Sequence, residues 1–278
     1  MPEGDTIFRA ARSLHAALAG DTITRFETGY AHLSVVDDQS PIAGRTMLRV
    51  EPRGKHVLMW MSGDLVLRTH MRMSGSWHLY RPGERWQRSP ARMRLLLETA
   101  RVVAVGFDVP DAEFLTPGAL ARARAVTSLG PDLLHDGFDR VEALRRLRQQ
   151  PHREIGVALL DQRVMAGVGN VFKSEVLFAS GVNPFTLVAR LPDDVLLAII
   201  DTSRTFLRAN VLPTSGDAIV TYAGQRRTTG QADPAARVWV SERADRPCRR
   251  CGTAIERRKQ GEEARATYWC PACQPHIA

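Results

Sequence analysis

The spacing of the cysteines constrains the fold of this 278-residue chain more than any other feature. All four lie after residue 247, as the pairs Cys248-x-x-Cys251 and Cys270-x-x-Cys273 with 18 residues between them. A disulfide framework would be spread more widely, whereas two such pairs can supply four thiolates to one zinc ion in a tetrahedron. Redox dithiols are the alternative, but neither pair has a thioredoxin-like βαβ pattern around it. We therefore expect one structural Zn²⁺ that folds this short module, and no organic cofactor.

The net charge of +8 comes almost entirely from arginine, because lysine occurs only as Lys55, Lys173 and Lys259. Guanidinium groups bind phosphate through a fork of donors, so this composition favours a polyanion such as nucleic acid. A high-GC genome would enrich arginine without any such function, and that alternative stays open. The sequence has no apolar run long enough to cross a bilayer and no basic-then-apolar leader. We therefore expect a soluble, cytoplasmic protein with no membrane partner.

The first part of the chain is typical of one helix followed by an antiparallel sheet structure. Asp5 is a candidate helix cap, apolar residues then recur at helical spacing, and Gly20 ends the pattern. Strand-like runs separated by turn signals follow. They are Thr22–Glu27, Met47–Glu51, His56–Met61, Leu65–His70, Trp77–Tyr80, Met93–Glu98 and Val102–Phe107. This pattern predicts an N-terminal β-sandwich domain over residues 1–125.

The pattern becomes helical after a predicted hinge at Leu129-Gly130-Pro131-Asp132. It predicts a helical domain with its linker over residues 126–240, and the cysteines predict the four-cysteine zinc finger, with a β-hairpin, over residues 241–278. The predicted helices are Val141–Gln149, Ile155–Met165, Val171–Ser180 and one that opens at Pro192. The polar, glycine-rich stretch from Pro213 to Pro234 is predicted to form loops. The chain as a whole is predicted to be an α+β multidomain protein.

Two short motifs carry chemistry. Pro2-Glu3 would place a secondary amine beside a carboxylate once Met1 is removed, and a proline iminium keeps its positive charge because it has no N–H proton to lose. A frayed terminus is the alternative reading. Between two apolar helices, Gly167-Val168-Gly169-Asn170 predicts a close backbone approach, with Asn170 capping the next helix and its first N–H groups facing a phosphate. A plain interhelical turn is equally compatible with that motif.

These pieces, in this order, resemble the formamidopyrimidine-DNA glycosylase/endonuclease VIII family of DNA repair enzymes over essentially the whole chain. The matching motifs are Pro2-Glu3-Gly4, Arg53-Gly54-Lys55, His70, Met73-Ser74-Gly75, Leu159-Leu160-Asp161-Gln162, Ala166-Gly167-Val168-Gly169-Asn170, Arg265 and Tyr268-Trp269-Cys270-Pro271. The first motif and the finger are similar to the endonuclease VIII branch, whereas Met73-Ser74-Gly75 is similar to the 8-oxoguanine branch. The resemblance implies a helix–two-turn–helix fold for the central domain.

The resemblance also implies a mechanism. The Pro2 amine would attack C1′ of a damaged nucleotide, and Glu3 would give a proton to the sugar ring oxygen and later remove one from the iminium intermediate. Two successive eliminations, β and then δ, would leave a one-nucleotide gap. Because the target atom is hidden in the duplex, the nucleotide must be flipped out, and the Arg72-Met73 apex is the candidate wedge. A core methionine is the alternative for Met73.

The same resemblance assigns the phosphate contacts to Lys55, Asn170 and Arg265, with Lys55 and Arg265 also counted among the catalytic residues. Glu175 matches an acidic family position and is interpreted as structural support. The expected enzyme is a monomeric bacterial glycosylase/AP lyase that acts on damaged double-stranded DNA at the nucleoid, with oxidised pyrimidines as the expected substrates. An enzyme that prefers 8-oxoguanine or formamidopyrimidines, and a DNA-lesion-binding protein without catalysis, remain as alternatives.

Overall fold

The computed structural model describes residues 2–211, 228–231, 233 and 236–276, and it resolves into two compact units. Unit 1 holds Pro2 and residues Thr6–Ser128. Unit 2 holds Glu3–Asp5, residues 129–211 and the described residues after 227. Most of the predicted Pro213–Pro234 loop lies outside the described residues. Among the described helices, none is both long enough and apolar enough to cross a membrane.

Helix α1, Gly4–Leu18, begins the fold as predicted. Its apolar stripe includes Ile7, Leu14 and Leu18, which are at most 1% exposed, because residues three or four apart share one face of a helix. The chain leaves the helix through Gly20, whose φ of +87° favours glycine. Asp5 lies inside the first turn instead of capping it, since the first helical residue is Gly4 and not Thr6.

Two four-stranded antiparallel sheets form most of unit 1, in the orders β1-β6-β7-β5 and β2-β3-β4-β8. The strands are β1 Ile23–Thr28, β2 Met47–Arg53, β3 His56–Met61, β4 Leu65–His70, β5 Ser76–Tyr80, β6 Met93–Thr99, β7 Val103–Phe107 and β8 Asp111–Leu115. Residues from both sheets and from α1 enclose one apolar core that contains Trp77, Leu97, Met59 and Leu67. The predicted antiparallel sandwich is confirmed.

Sequence reasoning missed helix α2, Ala31–Gln39, and strand β8. Helix α2 buries Leu33 fully but has no continuous apolar face to produce a helical pattern. Strand β8 is short and follows Pro110, yet it pairs along β4 from Val66↔Leu115 to His70↔Asp111. Two short helices, α3 Pro117–Leu120 and α4 Arg124–Thr127, complete unit 1.

The helices of unit 2 surround a second core. They are α5 Arg140–Arg148, α6 Ile155–Ala158, α7 Asn170–Ala179 and α8 Asp193–Ala209. The predicted helix Ile155–Met165 is wrong, because it ends at Ala158. Local side-chain bonds stabilise turns there: Gln162 Nε2 donates to the Leu160 and Val168 carbonyls at 2.9 and 3.0 Å, and its Oε1 accepts from Gly167 N at 3.1 Å.

The C-terminal hairpin, β9 Glu256–Gln260 and β10 Arg265–Trp269, packs on this helical part of unit 2. Phe185 makes an edge contact with Trp269 at 4.9 Å between ring centroids, and the Arg258 guanidinium lies 3.6 Å from the Phe185 centroid. Gln274, fully buried, donates to the Val182 carbonyl at 2.7 Å and accepts from Cys270 N at 3.0 Å. The finger is therefore fixed to the helices by packing and by backbone hydrogen bonds.

Glu175 on α7 connects the helices to the segment that leads into the finger. Its fully buried carboxylate accepts hydrogen bonds from Trp239 N at 2.7 Å, Val240 N at 2.9 Å, Ser241 N at 2.8 Å and the Thr228 hydroxyl. Burial raises the pKa of this carboxyl, and the four donors act against that increase. The arrangement gives Glu175 a structural role.

Replacing Glu175 with glutamine should lower the free energy of unfolding by about 3 kcal/mol, because an amide cannot accept all four bonds and the leftover donors stay buried. Urea unfolding would measure the loss. Glu142→Gln is the matched control, since that partly exposed carboxylate pairs with Arg145 and Arg146 at the surface, and its change should be much smaller. Equal losses in the two variants would contradict the structural role.

Candidate functional site

The N-terminal segment of the chain is anchored at the start of α7. Glu3 is fully buried, and its carboxylate accepts Val171 N at 2.8 Å and Phe172 N at 3.3 Å. Gly4 N donates to the Gly167 carbonyl at 2.9 Å. The first N–H groups of a helix lack partners within the helix and form its positive end, so a carboxylate is well suited to this position.

The two glycines of the Gly167-Val168-Gly169 turn permit this approach. A Cβ atom on Gly169 would lie 2.2 Å from Glu3 Cγ and Cδ, which no side chain can tolerate. A Cβ on Gly4 would lie 2.7 Å from Gly167 Cα, and Gly167 itself has a φ of +118°. The close backbone approach predicted from the sequence is present, and the segment that approaches is the N-terminus of the same chain.

The prediction that Asn170 caps α7 is wrong. Gly169 is the N-cap, Asn170 is the first helical residue, and the Glu3 carboxylate takes the place predicted for a phosphate. The physical reason is that a full negative charge interacts more strongly with the helix N-terminus than an amide oxygen does. The Asn170 side chain turns to the finger instead, and its Nδ2 donates to the Ala266 carbonyl at 2.8 Å.

Lys173 joins this group one turn further along α7 and is fully buried. Its Nζ donates to Asn170 Oδ1 at 2.9 Å and to Thr267 Oγ1 at 2.6 Å. Burial lowers the pKa of the Lys173 ammonium to about 7; the Glu3 carboxylate opposes that change and the Arg265 guanidinium adds to it. Sequence reasoning assigned this residue no role.

Arg265 opens β10 and lies partly exposed beside this cluster in unit 2. Its Nε and Nη2 donate to Glu263 Oε2 at 2.8 and 2.6 Å. A cavity of about 500 Å³ adjoins it, lined among others by Arg153, Arg163, Lys173, Gln260 and Arg265. The structure thus brings Glu3, Asn170 and Arg265, three of the predicted site residues, into one neighbourhood of unit 2.

The remaining predicted DNA contacts lie in unit 1. Lys55 is half-buried and follows Gly54, whose φ of +56° makes the tight β2–β3 turn. Arg72 and Met73 form the loop between β4 and β5, where Arg72 has a φ of +48° and lies 3.6 Å from Asp111. Met73 is 60% exposed, so it is not a core residue, and its role as a wedge stays a prediction.

A pair of histidines, His56 buried and His70 half-buried, supports this loop. His56 and His70 pack edge to face at 4.8 Å between centroids. His56 Nδ1 must accept from Arg68 Nη1 at 3.0 Å, because a guanidinium can only donate, and His70 Nδ1 accepts from Arg72 N at 3.0 Å. Burial lowers the pKa of His56 to about 3 and that of His70 to about 4, so both rings are neutral at pH 7.

The four cysteines meet as their spacing predicts. Their Sγ atoms all lie within 4.8 Å of one another, with 3.9 Å between Cys248 and Cys273 and 3.4 Å between Cys251 and Cys270. These separations exceed a disulfide bond and leave room for an ion at the centre. Gly252, with a φ of +81°, forms the turn after the first pair, and Cys248 Sγ accepts Arg250 N at 3.4 Å. The four sulfurs can hold one metal ion.

Comparison with known proteins decides the family. Residues 1–108 match the formamidopyrimidine-DNA glycosylase N-terminal domain and residues 129–219 match the H2TH domain of the same glycosylases. The chain is 44% identical to the "Probable endonuclease 8 2" of Streptomyces coelicolor, covering 99% of this chain and 94% of that protein. The chain belongs to the formamidopyrimidine-DNA glycosylase/endonuclease 8 family.

Other relatives and solved structures agree with this assignment. The "DNA-(apurinic or apyrimidinic site) lyase Nei2" of Mycolicibacterium smegmatis is 38% identical, over 99% of each chain. The solved complex of the Lactococcus lactis glycosylase with abasic-site DNA has the same fold, with a TM-score of 0.82 at 21% identity over 99% of this chain and 100% of that one. The sequence resemblance and the predicted fold class are confirmed.

In this family member, the pH dependence of stability should arise partly from the neutral histidine pair. The folded-state pKa values lie below the ordinary value of about 6.5, so the unfolded chain binds protons first and stability falls as pH drops from 6.5 towards 4. His56→Asn keeps an acceptor near Arg68 without a titrating ring. It should reduce the loss of unfolding free energy between pH 7 and pH 5 by about 2 kcal/mol.

Urea unfolding at the two pH values measures this difference. His135→Asn is the control, because that exposed ring also accepts a backbone N–H, from Gly137 at 3.1 Å, but lies outside the histidine pair. Its loss between pH 7 and pH 5 should equal that of the unmodified protein. An unchanged loss in His56→Asn would show that the pair does not control acid stability.

Proposed function

We propose that this chain is a bifunctional DNA glycosylase/AP lyase of base excision repair that removes oxidised bases, with pyrimidines preferred. The observation that carries the proposal is the anchoring of Glu3. This carboxylate, bonded through one peptide unit to Pro2, is fully buried and held by two N–H groups of α7. The first residues of a domain are seldom held so firmly. In a member of this family, a fixed N-terminus would serve the reaction proposed for Pro2 and Glu3.

In the proposed reaction, Pro2 is the nucleophile after removal of Met1. Its neutral amine attacks C1′ of the flipped nucleotide, the base leaves, and the resulting iminium acidifies the C2′ hydrogen so that β-elimination and then δ-elimination cut the strand. Glu3 transfers the protons. Its fixed position favours this role, because proton transfer needs a carboxylate within hydrogen-bond reach of a defined atom.

The proposed grip on DNA uses side chains from both units. Lys55, Asn170 and Arg265 contact phosphates, Arg72 supports the loop, and Met73 fills the space that the flipped base leaves. The exposure of Met73 and the partly exposed position of Arg265 support these roles. The exchange of Glu263 for a phosphate should cost Arg265 little, because a surface ion pair contributes less than about 1 kcal/mol.

We propose zinc as the ion at the four cysteines, in a structural role. A zinc ion with four sulfur ligands at about 2.3 Å requires sulfur–sulfur separations near 3.8 Å, and the separations of 3.9 and 3.4 Å suit it. The ion would join the segment before β9, which carries Cys248 and Cys251, to the segment after β10, which carries Cys270 and Cys273. We further propose that the protein acts as a monomer on damaged double-stranded DNA at the bacterial nucleoid in the cytoplasm, as the bacterial origin of its relatives suggests.

A preference for 8-oxoguanine or formamidopyrimidines is the second candidate. Met73-Ser74-Gly75 favours it, because this loop is similar to that of the 8-oxoguanine branch. The names of the sequence relatives favour the endonuclease 8 activity instead.

Borohydride trapping tests the proposed function. Reduction of the iminium should give a covalent protein–DNA band with an abasic-site duplex and with oxidised-pyrimidine duplexes, and a weaker band with 8-oxoguanine. Pro2→Gly should remove the band, while Pro90→Gly, at an exposed proline that begins a short 3-10 helix, should leave it unchanged. Glu3→Gln should slow base removal by about 10²–10⁴-fold, the usual contribution of a positioned acid–base group.

Two outcomes would overturn the proposal. A band of full strength in Pro2→Gly would place the nucleophile elsewhere, and the absence of a band with every substrate would leave a DNA-binding protein. A strongest band with 8-oxoguanine would favour the second candidate.

Zinc removal should affect the finger and DNA binding together. Purified protein should contain about one zinc per chain, and Cys270→Ser should release most of it, since the loss of one thiolate opens the tetrahedron. Elemental analysis measures the metal, and reconstitution with cobalt should give the spectrum of a tetrahedral tetrathiolate site. Full DNA affinity in metal-free protein would contradict a structural role.

A further inference from the structure

A continuous chain of hydrogen bonds, buried at its centre and partly buried at its ends, runs from α7 through the finger to the start of α6. Lys173 Nζ donates to Thr267 Oγ1 at 2.6 Å, and the Thr267 hydroxyl donates to Gln260 Oε1 at 2.8 Å. Gln260 Nε2 then donates to Glu154 Oε2 at 2.8 Å and to the Pro184 carbonyl at 2.9 Å. At its other end, Lys173 donates to Asn170 Oδ1 at 2.9 Å.

Every hydrogen bond in this chain has a defined donor and a defined acceptor. The lysine nitrogen is the donor at one end and the Glu154 carboxylate is the acceptor at the other. The hydroxyl of Thr267 accepts one bond and donates the next, which fixes the Gln260 amide with its oxygen towards threonine and its nitrogen towards glutamate. Aligned hydrogen bonds in a buried region polarise and strengthen one another, so the chain should respond as one element.

The fold makes room for this arrangement at some cost. Lys173 and Thr267 are fully buried, and Gln260 is 6% exposed, so each would be destabilising without its partners. A Cβ atom on Gly156 would lie 2.5 Å from Gln260 Oε1, which means that the glycine leaves the space that the amide occupies. Apolar side chains at these positions would pack the helices against the hairpin equally well.

We propose that Thr267 and Gln260 are positioning residues that set Lys173, and through it the Asn170 amide, for contact with the DNA backbone. Asn170 is held from two sides, by Lys173 at its oxygen and by the Ala266 carbonyl at its nitrogen. Both restraints lead to β10, the strand that also begins with Arg265. The finger hairpin therefore fixes two of the proposed phosphate contacts at once. This inference rests on the proposed function, in which Asn170 and Arg265 bind phosphates.

A matched pair of variants at Thr267 tests the inference. Thr267→Val keeps the size of the side chain but breaks both hydrogen bonds, and it should weaken binding to an abasic-site duplex about tenfold. Thr267→Ser restores the hydroxyl and should bind within about twofold of the unmodified protein. Binding is measured by titration at fixed salt, with zinc content and unfolding followed in parallel. The cleavage rate at saturating DNA should change far less than the affinity.

A double-mutant cycle separates positioning from simple stabilisation of the fold. Asn170→Ala alone should weaken binding, and Thr267→Val should add little to it, because the group that it positions is already gone. Additive losses would overturn the inference. Gly156→Ala is a second variant, for the case that Thr267→Val folds poorly: it keeps every member of the chain, displaces the Gln260 amide, and should weaken binding several-fold, so that unchanged affinity would also count against the inference.

The two proposals fail differently. Full affinity in Asn170→Ala would remove the phosphate contact on which the proposed function relies. Weakened binding in Asn170→Ala, combined with full affinity and normal zinc content in Thr267→Val, would overturn the positioning role alone.

Discussion

The contact between the Glu3 carboxylate and the first N–H groups of α7 determines much of what this molecule can do. It satisfies donors that the helix cannot satisfy itself, and it removes the conformational freedom of the residue beside Pro2. The contact exists only because Gly169 has no side chain, since a Cβ there would lie 2.2 Å from Glu3. Gly169, Glu3 and the N-terminus of α7 therefore depend on one another. The partial positive charge of this helix end, which could attract a phosphate, already interacts with the Glu3 carboxylate.

Under the proposed function, DNA recognition in this region then depends on side chains. With the α7 N-terminus occupied by Glu3, the proposed phosphate contacts are the Asn170 amide and the Arg265 guanidinium, and both are tied to the finger hairpin. The finger is in turn fixed to the helices by Glu175 and Gln274, through buried bonds to backbone groups. Metal site, hairpin and helix thus depend on one another through these polar contacts and through a shared apolar cluster that contains Phe178, Ile255 and Cys270.

Much of this architecture could be predicted from the sequence, because its signals are local. The strands of unit 1 follow alternating apolar runs, α1 follows a helical stripe that ends at Gly20, and the cysteine spacing indicates the thiolate cluster. The failures come from side-chain contacts. The helix over Ile155–Met165 ends early because Gln162 bonds to backbone groups across a local turn. At α7 the carboxylate that accepts the first N–H groups comes from Glu3, 167 positions before Asn170. Periodicity carries no information about either kind of contact.

Lys173 illustrates the same limit at the candidate site. In the sequence it is a single cation on a predicted helix, and such residues usually face water. In the fold it is enclosed, and it retains its polar group only because Thr267 and Asn170, one of them 94 positions away, accept its hydrogens. Burial lowers the pKa of the Lys173 ammonium to about 7, so a phosphate bound nearby, as the proposed function expects, would favour its charged form. An arginine at the same position would be charged with or without the phosphate.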